Sequence, residues 1–554
     1  MKKTFATFIA SDGGNFAIMT ATLSVPLLFA AAYMIDVSTI TRTKTELQQA
    51  LDAAVLAVAR EGKDISKPEA NSIAAQFLSS NFDPAYTNFN VTIDGTQFAV
   101  EAQTRAPMAF GGLLGYSTWP INGRSTADIA YASYEIALVL DTTGSMAGGK
   151  LTAMKDAVIG LIDTMALQVK DEKKLKFATV PFNNFVNVGA HHGPQFDKKG
   201  KQIAGTGAKW LDLKGRAEVP QSELDVGASR FQLYANLGQQ WSGCVETRFA
   251  SGTDYDVDDT KPQPTAPNTL FIPAFAIDEP DTPGFGNSYI KSDAKPKDKS
   301  VDEKKKRWAK YGVQTDEKGK PKNGGLLDPL LIGIGLGDDD DDDDDDGGQV
   351  KFKKVKIDSR ASPRNGMPKG PSNGCNVQPI APLSNDYAAI KSKVKSLVAA
   401  GTTNIMEGVA WGNRVLSPGN PFGESAAKSN RNLSRIMVVL TDGSNVFGNE
   451  PNDLGSSYSS QGYLVDGRLG IAAGGSSATN TLMNERTLAA CQVAKDAGIE
   501  VYTIRLEEPN VATGTMLKEC ASDPDHYFDV PNRTQLDEAF GKIRDRIVKV
   551  RISS

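Results

Sequence analysis

The apolar run Ile136-Ala137-Leu138-Val139-Leu140 ends abruptly in Asp141-Thr142-Thr143-Gly144-Ser145-Met146. A carboxylate and two hydroxyls at alternate positions are hard oxygen donors. The branched residues before them read as a buried strand, so all three groups are presented together at a strand end. In open parallel sheets, ligands sit at the carboxyl ends of the strands. The pattern returns far downstream. Ile436-Met437-Val438-Val439-Leu440-Thr441 is a second buried run ending in Asp442-Gly443-Ser444, and Gly401-Thr402-Thr403-Asn404 precedes a helical pattern. By itself Asp442-Gly443 reads as a simple turn. Three such fragments in order, each on a suitable element, read instead as one oxygen-lined rim.

Taken together they resemble the metal-ion-dependent adhesion site (MIDAS) of von Willebrand factor A domains, whose pattern is Asp-x-Ser-x-Ser, then Thr, then Asp. The resemblance implies that Asp141, Thr143, Ser145, Thr403 and Asp442 hold one divalent cation, Mg²⁺ with Mn²⁺ or Ca²⁺ as substitutes. Thr143 replaces the usual first serine and keeps its hydroxyl. Magnesium takes six oxygens in near-octahedral geometry and retains several waters. Few direct protein ligands and an open position for a partner's acidic group suit that preference.

The surrounding elements agree. Helical patterns over 151–166, 387–399, 406–416, 479–497 and 533–550 alternate with strand patterns over 175–181, 498–505 and 526–528. Such alternation is the signature of a doubly wound, Rossmann-like α/β sheet. It predicts a von Willebrand factor A domain over 131–552, interrupted by a long insertion at 185–375. Trp411 and Arg414 read as helix packing. The Gly/Ser-rich stretch 446–477, beside the rim, reads as a loose connection or as a lid that contacts a partner.

Within the insertion, Trp241-Ser242-Gly243-Cys244-Val245-Glu246 and the stretch 268–280 are similar to passages of TadG-type adhesion domains, which implies partial folding. Residues 293–371 are lysine-rich and then aspartate-rich, a composition that predicts disorder because too little apolar surface is available to offset chain entropy. Nine consecutive aspartates at 338–346 lack the alternating ligands and turn glycine of a calcium loop, and read as a solvated acidic spacer.

At 554 residues the chain has room for two or more domains. Lys plus Arg number 61 and Asp plus Glu 66; the net charge is −5, so without the nine aspartates the chain stands at about +4. No basic stripe argues for nucleic acid. Three histidines, His191, His192 and His526, disfavour histidine-based catalysis, and four cysteines without Cys-x-x-Cys spacing disfavour zinc. In an exported chain an even count points to two disulfides, and chain order and domain assignment favour Cys244 with Cys375 and Cys491 with Cys520. In a reducing compartment the four would be buried free thiols.

The first residues, Met1-Lys2-Lys3, are basic, and 16–35 carries no charge over about the length that crosses a bilayer. Pro26 is tolerable there. The lysines place the N-terminus (1–15) in the cytoplasm and the bulk of the chain outside the bacterial inner membrane, as a single-pass protein. The rival reading is a cleaved signal peptide with Ala30-Ala31-Ala32 at the cut. Leu47, Leu51, Ala54, Val55 and Val58 continue as an amphipathic helix. Gly13-Gly14-Asn15-Phe16-Ala17, the apolar span and this helix resemble the N-terminus of TadE/TadG-like proteins of tight-adherence (Flp) pilus systems. Met19 stands where prepilin peptidase substrates carry a glutamate, which favours a retained anchor. The remainder of 36–130 reads as a small α+β stalk without chemistry.

The resulting expectation is a membrane-anchored pilus-assembly or adhesion protein, not an enzyme, that binds a protein partner, such as a pilus or secretion component, through the cation. A structural tether with an unmetalled fold is the alternative. A metal-dependent hydrolase has least support, because the sequence places no general base at the rim.

Overall fold

The structure is a computed structural model. It describes residues 12–547 except 62–64, 95–96, 129–132, 170, 199, 225, 249–254, 293–294, 296–297, 322–368 and 428–432. The aspartate run at 338–346 lies outside the described residues. The chain divides into two compact units, with the boundary at Tyr131 and Ala132.

The first unit begins with helix α1 (Asp12–Glu61), followed by α2 (Lys67–Asn81) and an antiparallel sheet of β1 (Tyr86–Asp94), β2 (Gln97–Pro107) and β3 (Thr118–Asp128) in that order. From Met19 onward α1 is long and apolar enough to cross a membrane. Its two halves are buried differently. Leu23, Leu27, Leu28 and Met34 stand exposed, whereas Leu47, Leu51, Ala54, Val55 and Val58 form one core with Val91, Phe98 and Val100 of the sheet. The stripe at helical spacing is therefore the face that covers β2 and β3.

The second unit is built on β4 (Ser133–Asp141), α3 (Gly149–Gln168), β5 (Leu175–Phe182) and the short β6 (Val186–Asn187). Next come α4 (Arg230–Asn236), β7 (Cys244–Glu246), β8 (Ile272–Pro273), α5 (Val301–Lys310), β9 (Ala381–Ser384), α6 (Tyr387–Lys395) and α7 (Ile405–Leu416). It closes with β10 (Leu433–Thr441), α8 (Ser476–Asp496), β11 (Ile499–Leu506), α9 (Val511–Cys520), β12 (Tyr527–Val530) and α10 (Leu536–Ile547). The sheet order is β12-β11-β10-β4-β5-β6-β7-β8, with β9 also paired to β5. Strands β12, β11, β10, β4 and β5 run parallel, and the insertion extends the sheet with antiparallel strands. This is a mixed α/β unit with a parallel-rich sheet, as the alternating pattern predicts. Every residue of β4 from Glu135 to Asp141 is buried, because a parallel strand is covered on both faces.

Cys244 pairs with Cys375 and Cys491 with Cys520. The insertion is folded beyond expectation. Residues 293–371 include α5, whose N-cap Ser300 Oγ accepts from Glu303 N at 3.4 Å. Trp308 and Tyr311 are buried, and Lys310 Nζ reaches Glu223 at 2.9 Å and Asp278 at 3.4 Å. Two aromatics in a lysine-rich stretch supply the burial that average composition conceals, so the expectation of disorder fails for this part. Arg414 stacks over Trp411 and Phe271 at 5.0 and 5.3 Å, the packing role expected of it.

Helix α7 is buried along its whole length and lies flat on the sheet through Gly408 and Gly412. A Cβ at Gly408 would sit 2.7 Å from Phe182 and 2.9 Å from Val139, both fully buried. Alanine gains about 1 kcal/mol over glycine in helix propensity, while overpacking a rigid core costs about 1–3 kcal/mol. Since neither neighbour has room to swing away, the clash should dominate. Gly408→Ala is expected to lower the urea-unfolding free energy by about 1–2 kcal/mol; an unchanged or higher midpoint would show that α7 slides freely on the sheet.

Candidate functional site

Register brings the first and last fragments together. Leu440 of β10 lies opposite Leu140 of β4, so Thr441 and Asp141 end adjacent parallel strands at one level. The Thr441 hydroxyl donates to Asp141 Oδ2 at 2.6 Å, and Thr143 N donates to Asp141 Oδ1 at 2.8 Å, closing a turn of the kind aspartate favours. That turn sets the Thr143 hydroxyl 3.0 Å from Ser145 Oγ, which donates to Asp442 Oδ1 at 2.7 Å.

The middle fragment is tied to both others by backbone bonds. Ala400 N donates to Thr142 O at 2.8 Å and Gly144 N to Gly401 O at 3.0 Å, while Val446 N donates to Thr403 O at 2.8 Å. A Cβ at Gly443 would lie 3.5 Å from Thr403 Oγ1 and 3.6 Å from Ser145 Oγ, so the two hydroxyls flank that glycine. Asp141, Thr143, Thr403, Asp442, and the exposed Ser145 thus share one rim. Ser145 forms its opening to solvent.

Two further segments hold this arrangement. Asn183, just past β5, donates through Nδ2 to Ala400 O at 3.1 Å, and its carbonyl accepts from Asn404 N at 3.1 Å. Gly401 has φ +83°, and a Cβ there would stand 2.6–2.7 Å from the amides of Asn184 and Asn183, so glycine is required. Asn445 Oδ1 accepts from Ile405 N at 2.8 Å, fixing the start of α7 to the loop after β10.

Electrostatics make the rim costly. Burial, and then the like charge of Asp442, push the Asp141 carboxyl up to about 6, against the pull of the bonds from Thr441 and Thr143. Asp442 is answered by a residue that the sequence reading passes over. Lys150 Nζ lies 2.6 Å from Asp442 Oδ2, with its side chain 21% exposed. A signal was available. Lys150 sits in the first turn of α3, where the helix dipole disfavours a cation and a nearby carboxylate offsets that cost, though the sequence does not say which one.

Two carboxylates and three hydroxyls are an all-oxygen donor set, which fits a hard divalent cation rather than a soft one. Among the described residues no group of three or more His, Cys, Asp or Glu is placed to hold a metal ion by itself, so the hydroxyls are indispensable to any such site. The stretch 446–477 is not a loose connection. Phe447, Leu464 and Leu469 form a small core with Met483, and Arg468 Nη1 reaches Glu246 of the insertion at 2.7 Å.

Comparison with known proteins adds the following. Residues 14–61 match a family model described as "Putative Flp pilus-assembly TadE/G-like". No curated protein matches the chain. Among solved structures, the chain is similar to the pilus adhesin SpaC from Lactobacillus rhamnosus GG, at 10% identity and TM-score 0.30 over 85% of this chain and 35% of that one. It is similar to the vWF domain of the type V pili tip protein Mfa5 from Porphyromonas gingivalis, at 8% identity and TM-score 0.31 over 76% and 98%. A third similarity is to the PilB minor pilin from Streptococcus sanguinis, at 11% identity and TM-score 0.32 over 83% and 77%. The chain thus spans about a third of the length of SpaC. Its N-terminal helix carries a TadE/G-like pilus-assembly segment at 14–61.

Proposed function

We propose that this chain is a membrane-anchored pilus-assembly or adhesion protein whose second unit, of von Willebrand factor A type, binds an acidic group of a protein partner through a divalent cation. One observation carries the reading: Ser145 Oγ, 3.0 Å from the Thr143 hydroxyl, donates to Asp442 Oδ1 across 297 positions of the chain, with Asp141 beside Thr143 and Thr403 across Gly443. The TadE/G-like match of the apolar first helix supports the anchor and the pilus context. Two disulfides support an oxidising compartment outside the cytoplasm. The role is binding, not catalysis.

The five residues would hold the ion, Mg²⁺ or Mn²⁺, and the ion would supply residual positive charge and an open position for the partner's carboxylate. The chain's own part is preorganisation. Thr441 and the Thr143 amide fix the rotamer of Asp141, Gly401 and Asn183 fix the Thr403 loop, and the exposed Ser145 marks the approach. Lys150 supplies the counter-charge to Asp442 in the cation-free chain. It stands on a separate helix and is part-exposed, so it is free to withdraw.

The same ion pair favours a second reading, in which Lys150 is a permanent substitute for a metal and the unit is a structural tether. Substitution separates the two. Lys150→Met leaves Asp442 buried and uncompensated, and should cost about 2–3 kcal/mol in chelator-treated protein. If the rim binds metal, Mn²⁺ restores that loss and binds about tenfold more tightly than to wild type by calorimetry, about 1.4 kcal/mol; a tether recovers nothing. For partner binding, proteins retained by the chain from detergent-solubilised membranes in Mg²⁺ should be lost with EDTA and with Asp141→Ala. Retention by both would leave the tether.

A further inference from the structure

A buried carboxylate near the middle of α1 marks where the helix changes surroundings. Asp36 is 4% exposed, and its carboxylate accepts from three successive backbone amides, Ala109 N at 2.7 Å, Phe110 N at 3.2 Å and Gly111 N at 2.8 Å. These belong to the loop joining β2 to β3. The loop is closed by Met108 N donating to Ser117 O and Tyr116 N to Gly111 O, both at 3.0 Å. Farther along, Gln48 Nε2 donates to Arg124 O at 3.2 Å and Ser125 Oγ to Asp52 at 2.6 Å, so α1 and β3 advance together away from the loop. The loop is therefore the end of the sheet that faces the apolar half of the helix.

That half starts at the residue before Asp36. Tyr33, Met34 and Ile35 are 71, 66 and 50% exposed, and the uncharged stretch 16–35, at 1.5 Å per residue, is about 30 Å long, the thickness of a bilayer's hydrocarbon core. From Leu47 onward the sheet covers the helix instead. The hairpin tip, residues 108–119, which is the loop and the first two residues of β3, contains no charged residue and displays Phe110, Tyr116 and Trp119 at 40, 65 and 48% exposure. Three exposed aromatics on a hairpin tip closed by hydrogen bonds are unfavourable in water. At a membrane interface they are favoured, since indole and phenol rings combine an apolar body with a polar group. Asp36 tolerates that level because three amides replace the water it would lose.

We propose that the hairpin tip 108–119 is a second membrane contact, seated in the headgroup region of the bilayer at the point where α1 emerges and held there by Asp36. This rests on reading α1 as membrane-spanning. The contact fixes the tilt of the first unit on the bilayer, because a single helix leaves rotation about its exit point free and a second contact removes it.

The protein contains its own probe. Of five tryptophans, Trp119 alone is exposed, the other four being 1–6% exposed. The full chain is reconstituted in nanodiscs of phosphatidylcholine and phosphatidylglycerol with brominated acyl chains. In a parallel sample a nitroxide on Leu27→Cys reports the surroundings of α1; the four native cysteines are paired. Expected are an oxygen-accessible, lipid-buried label at Leu27 and quenching of about one tryptophan's share of the emission, lost in Trp119→Phe. A lipid-buried Leu27 with no quenching, or with quenching unchanged in Trp119→Phe, overturns the hairpin contact and leaves the spanning helix intact. Dipolar broadening between labels at Tyr116→Cys on two chains, in place of quenching, overturns it in favour of a second copy. A water-exposed label at Leu27 overturns the spanning reading, and the hairpin contact with it.

Discussion

The pairing of β10 with β4 is the constraint on which the rim depends. With Leu440 opposite Leu140, Thr441 arrives beside Asp141 and Asp442 follows one residue on. A slip of one residue would turn each side chain to the other face of the sheet; a slip of two would keep the faces but carry Thr441 away from Asp141. Helix α7 guards against both. A Cβ at Gly412 would stand 2.7 Å from Val139 of one strand and 3.1 Å from Met437 of the other, so the helix is seated on the two strands in this register. The same helix is capped by Asn404, directly after Thr403. One packing contact thus sets strand register and the position of the middle loop together.

What this register assembles is locally unfavourable. Asp141 is buried against a like charge, and its raised pKa records that cost. Two hydrogen bonds offset part of it, while Lys150 answers Asp442. A rim selected only for stability would replace Asp141 with an apolar residue, since the five residues before it on β4, Ile136 to Leu140, are apolar and fully buried. Local rules are broken here, at a strand end, where ligands bind. Asp278 and Asp466 are likewise buried and pushed up to about 6, so it is the position at a strand end beside three hydroxyls, not the cost alone, that singles out the rim.

How legible all this was depended on whether the signal lay in pattern or in tertiary contact. Strand ends announce themselves: an apolar run that stops in Asp141, or in Thr441-Asp442, is visible without coordinates, as are the stripe from Leu47 to Val58 and the charge-free span before it. Lys150 was missed because its partner lies 292 residues away and only the sheet brings them together. Asn183 and Asn445 act through backbone bonds to loops distant in sequence, and amides in loops have no pattern of their own. Composition misled at α5, where Trp308 and Tyr311 bury themselves despite their lysines, and again at 446–477, where glycine and serine surround Phe447, Tyr458 and Leu464. Averages describe segments whose residues act independently; a few aromatics meeting a preformed core do not.

The insertion raises the question of why so large an excursion leaves the rim undisturbed. It departs after β5, a strand of the central sheet, and returns before β9, which pairs with β5. Cys244 and Cys375 join its interior to its return point across 131 residues, and Asn187 Nδ2 donates to Ser242 O at 3.0 Å and Val377 O at 3.1 Å. Loop-closure entropy grows only as the logarithm of length, so once these ends are pinned the chain between them adds little cost. The insertion then binds the loop after the rim through Glu246, which lies between Arg230 at 2.8 Å and Arg468 at 2.7 Å. Because Arg468 belongs to the stretch that follows Asp442 and Glu246 to the insertion, movement of one drags a buried charge out of the other. Any rearrangement at the rim must therefore either stop short of Arg468 or carry the insertion with it.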